Sequence, residues 1–363
     1  MKVGIVGLGY WGPNLVRNFQ ADNEIEKVIG CDKEPERLNY IKLRFPNVEL
    51  MDSFDNLLLS DVDAVAIATP VNTHYKFAKR VLEAGKHVWV EKPFTSNSAQ
   101  ARDLIELAGK KDLKVFVDHT FLYAGAVKKI KEIVESGELG DIIYFDSVRI
   151  NLGLFQHDVN VIWDLVPHDL AIMNYVLKDK TPVAVTANGI ANYYDQENIA
   201  HISIHFKSED CFAHFHVNWT SPVKIRRMIL VGTKKMLVYD DMENSEKIKV
   251  YDCGIEMLSS KEKIRKALVQ YRIGDMYSPK VIQTEALALG VKEFVSAIKE
   301  GRQPLTNGHD GLEVVRILEA SDKSIKNRGC LIELEEKEII KPAVKTFERE
   351  DFIKKIRIMS NGL

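Results

Sequence analysis

Apolar residues in the first third of the chain come in short unbroken runs; in the middle third they alternate with polar ones. The runs are Val3–Val6, Lys27–Cys31, Val62–Ala68, Lys86–Glu91 and Lys114–Val117. Continuous runs of this length fit strands buried on both faces. Between them, segments such as Asn14–Phe19 carry helical spacing. Pro13 suits a helix's first turn, Asn72 is placed to cap a helix running to Glu83 that Gly85 stops, and Ser96 or Ser98 to cap one through Leu104, Leu107 and Ala108. Strands alternating with helices predict a doubly wound parallel sheet over residues 1–118.

After a helix from Gly125 to near Gly137 the rhythm changes. Residues 142–151, 182–192, 199–206, 211–219, 224–231, 235–240 and 247–253 read as strands joined by short turns. Successive strands without helices between them predict a large, mostly antiparallel open sheet in an α/β domain over 119–333. Pairing Phe206 with Cys211 puts Ile202, Ile204, Ala213 and Phe215 on one face and His201, His205, His214 and His216 on the other. Period-2 alternation explains the histidines, and no carboxylate interleaves them, so no metal site is expected. Tyr271–Pro279 reads as a loop, Thr284–Ile298 and Gly311–Ser324 as helices, and 334–363 as a charged extension with room for an edge strand and a terminal helix.

Composition narrows the class. The 363 residues are 45% hydrophobic and 28% charged, with a net charge of −2, so nothing electrostatic argues for nucleic acid or an anionic membrane. No apolar run approaches the ~20 residues of a membrane span. The four cysteines are widely spaced, as expected of reduced, buried thiols, and no secretory leader precedes the first strand. A cytoplasmic protein is the expectation.

Candidate chemistry begins at Gly7-Leu8-Gly9-Tyr10-Trp11-Gly12, between a strand and a helix. Gly7 permits the tight turn, Gly9 lets a pyrophosphate approach the backbone, and Gly12 lets helix and strand pack closely. Asp32 ends the second strand, 25 residues after Gly7. A carboxylate there reads a ribose diol and repels a 2′-phosphate, which points to NAD over NADP; Lys33 and Arg37 soften that choice. The topology aligns Gly7, Thr69, Lys92 and His119 along one sheet edge. Lys92, in Val88-Trp89-Val90-Glu91-Lys92-Pro93, stands at a strand's carboxyl end, where open α/β sheets bind ligands; alone it reads equally as a solvated loop charge. Asp164 and His168, four residues apart, share a helix face, as an orienting acid and an imidazole would, or as an ordinary helix ion pair.

In that order, Gly-x-Gly-x-x-Gly, Glu91-Lys92-Pro93 and Asp164-x-x-x-His168 resemble the Gfo/Idh/MocA oxidoreductases, over essentially residues 1–330. The resemblance implies Lys92 and His168 as the catalytic pair, with Asp164 holding substrate or orienting the histidine; which of the pair is the base stays open. It implies further cofactor contacts from Tyr10, Trp11, Thr69, Asn72, His74, Glu91, Lys92, His119 and Trp163, and substrate contacts from Lys92, Asn151, Asp164, His168 and Arg272. Gly9–Asn14 and Trp163–Asp169 are similar to a narrower branch often assigned as nucleotide-sugar dehydrogenases, notably UDP-N-acetylglucosamine 3-dehydrogenases of amino-sugar synthesis. Two departures, His119-Thr120-Phe121 where many relatives carry Asn-x-Arg-Phe and the Asn- and Asp-rich segment around Asn151, Asp158 and Asn160, argue against a simple polyol. Lys263, Arg265, Lys266 and Arg272 are placed to meet a diphosphate. The histidine-bearing sheet face is expected to pair subunits into a homodimer or homotetramer. An inositol or simple-sugar dehydrogenase, an NAD-dependent glycosidase and a non-redox NAD-binding protein are the alternatives.

Overall fold

The short apolar runs form strands because both their faces are covered. A computed structural model describes residues 1–153, 155–156, 158–193, 195–208, 210–257 and 269–334. In its first third, β1 (Lys2–Val6), α1 (Gly12–Ala21), β2 (Lys27–Cys31), α2 (Pro35–Arg44), β3 (Glu49–Met51), α3 (Phe54–Leu59), β4 (Ala64–Ile67), α4 (Val71–Glu83), β5 (His87–Val90), α5 (Ser98–Lys111) and β6 (Val115–Val117) follow one another. The parallel strands lie in the order β3-β2-β1-β4-β5-β6. The order reverses between β1 and β4, and a doubly wound sheet opens its ligand crevice at such a switch point.

A single 3₁₀ turn at Thr120–Tyr123 leads into α6 (Gly125–Glu135), β7 (Ile142–Leu152), α7 (Val161–Val176), β8 (Pro182–Ile190), β9 (Ile199–Phe206), β10 (Phe212–Asn218), β11 (Thr220–Gly232), β12 (Met236–Asp240), β13 (Ile248–Met257), β14 (Val269–Tyr277), α8 (Ala286–Lys299), α9 (Gly308–Lys326) and β15 (Ile332–Glu333). The second sheet has nine strands in the order β14-β13-β12-β11-β7-β10-β9-β8-β15; the β7–β10 pair is parallel and the others are antiparallel. The expected β9–β10 register holds, with Phe212 opposite His205 and His216 opposite His201. Helix α7 packs on β7, β9 and β10, so its inner face is aliphatic (Val166, Leu170, Met173).

Three expectations change. Residues 271–277 belong to β14 and are not a loop; the turn-like Gly274 and Asp275 fall in a bulge between stretches that pair with β13 on either side. Asn72 lies inside α4, exposed, and α4 has no side-chain cap. Asn97 caps α5 by accepting from the Gln100 N–H at 2.9 Å, in place of Ser96 or Ser98. The parallel sheet ends near 118 as expected, yet helices from much later cover it. Phe294 of α8 stands edge-on to Phe19, Trp89 and Phe116 in one buried aromatic group, and α9 packs on α5 and β6. An edge strand at Ile332–Glu333 joins β8; the expected terminal helix falls outside the described residues.

Candidate active site

The glycine turn is built to the limit of contact. Gly7 has φ +92°, and a Cβ there would lie 2.5 Å from the Ala68 carbonyl oxygen; one on Gly12 would lie 2.3 Å from that of Gly7. At Gly9 the nearest atoms to such a Cβ are 3.9 Å away, on the Arg37 guanidinium, so its outer side is open. Tyr10, 92% exposed, lies on a cleft of ≈ 600 Å³ that runs from Leu8 and Gly9 past Pro13, Asn14 and Arg17 to Arg37, Tyr40 and Arg44. Asp32 is buried at the end of β2 and accepts from the N–H groups of Leu8 (2.7 Å) and Glu34 (3.0 Å) and from Arg37 Nη1 (3.2 Å). Open backbone at a helix start next to a buried acid fits a dinucleotide.

The carboxyl ends of β4, β5 and β6 bring Thr69, Glu91, Lys92 and His119 to one edge, as expected. His74 is a strut there: buried, it contacts the carbonyl oxygens of Pro93 (Nδ1, 2.9 Å) and Thr69 (Nε2, 2.8 Å), tying the start of α4 to the cis Lys92-Pro93 corner. Asn72 stands exposed in the first turn of the same helix. The Trp163 indole N–H donates to Asp322 of α9 at 2.8 Å. Asn160 caps α7, accepting from the N–H groups of Ile162 and Trp163.

Lys92 joins the two sheets. Its ammonium donates to the Asp164 carbonyl oxygen at 2.8 Å and to Asp164 Oδ1 at 3.3 Å, while Asp164 Oδ2 accepts from the Trp219 indole N–H at 3.0 Å. Asp164 therefore holds Lys92 and not His168, although the two share a helix face. His168 is partly exposed with its Nδ1 enclosed and unbonded; Phe121 meets its ring edge-on at 5.0 Å. Behind it, Arg149 forms a buried fork to Asp169 (Nε–Oδ1 3.0 Å), which also accepts from Ser147. Asn151 stands at the end of β7, where the Gly153 N–H donates to the Trp219 carbonyl at 3.0 Å.

These surroundings set charge states. Burial first, then the charges of Lys92 and Arg149, holds the His168 imidazole well below its ordinary pKa, so it is neutral at pH 7 and able to accept a proton. Burial and Lys92 push His119 down to about 4. Glu91 and Asp118 are both pushed upward, chiefly by burial. Asp118 and Trp219 had been passed over. The strand-end rule that found His119 applies equally to Asp118, the residue directly after β6, whereas nothing local marks Trp219 as a partner of Asp164.

Other expected residues lie elsewhere. Arg272 is on edge strand β14, separated from β7 by three strands, and its Nε donates to Asp252 at 3.1 Å; it does not join Lys92 and Asp164. Lys263, Arg265 and Lys266 fall outside the described residues. In the histidine group, His201 stacks on His216 at 4.4 Å, and Asp146, from neighbouring β7, meets His214 Nδ1 at 2.8 Å, so a carboxylate does interleave. Among the described residues no cluster is arranged to hold a metal ion. Cys31 and Cys211 are buried as expected; Cys253 is half-buried and Cys330 exposed. No described helix is long and apolar enough to cross a membrane.

Residues 1–119 match the oxidoreductase family with an NAD-binding Rossmann fold, and residues 127–238 match the GFO/IDH/MocA C-terminal domain. The chain is 26% identical over 323 residues to the UDP-N-acetylglucosamine 3-dehydrogenase of Acidithiobacillus ferrooxidans, covering 87% of this chain and 94% of that one. It is 23% identical over 350 residues to the myo-inositol 2-dehydrogenase of Thermotoga maritima, covering 93% and 99%. Among solved structures, GenD2 from gentamicin A biosynthesis in complex with NAD superposes with a TM-score of 0.77 at 20% identity, over 92% of this chain and 96% of that one.

Proposed function

The chain belongs to the Gfo/Idh/MocA family of oxidoreductases with an NAD-binding Rossmann domain, and from that premise we propose that it oxidises a ring hydroxyl of a nucleotide-linked sugar. The substrate class is a UDP-N-acetylhexosamine or its uronate, oxidised at C3 to a ketone for amino-sugar and cell-surface glycan synthesis. The observation that carries the dehydrogenase reading is Lys92, held by Asp164 at the carboxyl end of β5, with a neutral His168 near enough to feel its charge. The substrate class rests on the near end-to-end similarity to the Acidithiobacillus enzyme.

NAD, when bound, supplies the hydride acceptor. The Gly7–Gly12 turn, open at Gly9, would hold its pyrophosphate, and Asp32 would read its ribose diol. Lys92 donates a hydrogen bond to the hydroxyl oxygen that is being oxidised and steadies the negative charge growing there. His168 takes the hydroxyl proton, and the enclosed imidazole has no other bond to break as it does so. Asp164 and Trp219 fix Lys92 in place. A nucleotide handle far from the reacting carbon supplies binding energy that orients the sugar.

The test is NADH formation by the purified protein with free sugars, inositols and UDP-sugars, with the oxidised carbon assigned by deuterium transfer. Turnover on a UDP-N-acetylhexosamine with transfer from C3 is expected. Turnover on myo-inositol and on no UDP-sugar would replace this reading with the polyol one, which the Thermotoga relative represents.

A further inference from the structure

Two buried carboxyl groups at the strand-end corner take no part in the chemistry above. Val90 of β5 pairs with Val117 of β6, so Glu91 and Asp118, the next residues on each strand, are neighbours. Their backbones are fixed: the Glu91 N–H donates to the Ile67 carbonyl (3.0 Å) and that of Asp118 to the Val90 carbonyl (2.8 Å). Asp118, 1% exposed, accepts from the Thr120 hydroxyl at Oδ1 (2.5 Å). That leaves Glu91 Oε1 and Asp118 Oδ2, both enclosed, without a well-formed hydrogen bond; the Trp11 indole N–H stands near Asp118 and the Lys92 backbone N–H near Glu91. The two side chains are nonetheless within hydrogen-bonding reach of each other. Ionised carboxylates only accept, so such a bond exists only when one of the pair carries a proton. Around them stand Lys92 from the same corner, Trp11 from the start of α1, and His119, Thr120 and Tyr123 from the segment after β6; Lys92 is the group of opposite charge, and His119 is neutral.

We propose that Glu91 and Asp118 share a single proton in the folded protein, and that this singly charged pair is a positioning element that holds Lys92 at the reacting hydroxyl. Lys92 follows Glu91 directly in the chain, and its ammonium, bonded to Asp164, is near enough for its charge to act on both members of the pair. With no shared proton, two enclosed like charges would repel across the corner. With two protons, Lys92 would lose its counter-charge on the strand side. The proposal rests on Lys92 acting at the hydroxyl, as argued above; the shared proton itself does not.

Difference infrared spectra of the cofactor-free protein at pH 7.5, wild type minus Glu91→Gln and wild type minus Asp118→Asn, test the proton directly. A protonated-carboxyl band present in wild type and absent from both variants is expected. A wild-type spectrum without that band overturns the shared proton, whatever the substrate proves to be. Each single amide supplies the missing N–H and keeps one negative charge, whereas the double variant keeps the shape and loses the charge. The double variant should therefore be at least about tenfold slower in kcat than either single variant, with its KM for NAD nearly unchanged. Equal kcat in all four proteins overturns the positioning role, as does a single variant that folds but is as slow as the double. A fully active Lys92→Ala would instead remove the catalytic reading and leave the infrared result standing.

Discussion

His168 stands ready in its neutral form because it sits among cations and hydrophobic walls with no carboxylate partner, at the cost of being a weaker base. Lys92 and Arg149 both oppose its protonation, and burial does so most. The acid limb of kcat/KM therefore lies below pH 6.5, where an ordinary imidazole would titrate; a limb centred at or above pH 6.5 would contradict a neutral base held this way. His168→Ala and Lys92→Ala should each lower kcat by roughly 10²–10⁴ with NAD affinity little changed, read by steady-state kinetics and by cofactor titration. Asp164→Asn differs in kind. The carboxylate accepts from Lys92 at one oxygen and from Trp219 at the other, and an amide can accept at only one of them. A loss of at least about tenfold in kcat is expected with a stability cost of about 1 kcal/mol in urea melts; wild-type kcat would show that Lys92 needs no such anchor.

At the level of elements, pattern and period were enough wherever a strand was buried on both faces or alternated cleanly. That is why β1, β2, β4, β5 and β6 could be read as strands, and the β9–β10 hairpin with its register. The glycine turn, Asp32 and Lys92 were legible for the same reason, since strand ends and turns are local features. What was not legible depends on contacts between distant segments: Asp164 turned to Lys92 and Trp219, Trp163 drawn to Asp322, and β14 extended by its neighbour despite turn-like residues. Helix caps fall between these cases, because Ser96, Asn97 and Ser98 all suit the role and only backbone geometry chooses. Asn97→Ala should cost about 1 kcal/mol, and Ser96→Ala and Ser98→Ala less than about 0.5 kcal/mol each, in thermal or urea unfolding. A larger loss at Ser98 than at Asn97 would reassign the cap.

The whole molecule carries the sum of its buried titrating groups. His74, His87, His119 and His168 are all held below the ordinary histidine value, so below pH 6.5 the unfolded chain binds protons that the folded one does not. That part of the stability rises with pH and is complete near 6.5. Glu91 and Asp118 act in the opposite sense, since their raised values let the folded chain keep a proton that the unfolded chain releases. Above pH 6.5 stability should fall by up to about 1.4 kcal/mol per pH unit until the pair ionises, and Glu91→Gln should flatten the slope. Urea midpoints measured across pH 6.5–8 decide it; a wild-type curve that rises over that range contradicts the account. The face of the nine-stranded sheet bearing Phe212 and the histidines is open in a single chain. A homodimer or homotetramer assembled on that face is the expected state in sedimentation at micromolar concentration, and a monomer would contradict it.

The roof of the parallel sheet is made last. Phe294 closes over Trp89, Phe19 and Phe116, and α9 lies along β6, yet α8 and α9 begin about 170 and about 190 residues after that sheet's final strand. A ribosome adding ~5–20 residues per second leaves that aromatic surface without its cover for roughly ten to thirty seconds. Until then the nascent N-terminal third exposes an aromatic surface that the finished fold buries. Cut out as residues 1–118, it would be a sticky fragment and not a free-standing cofactor module.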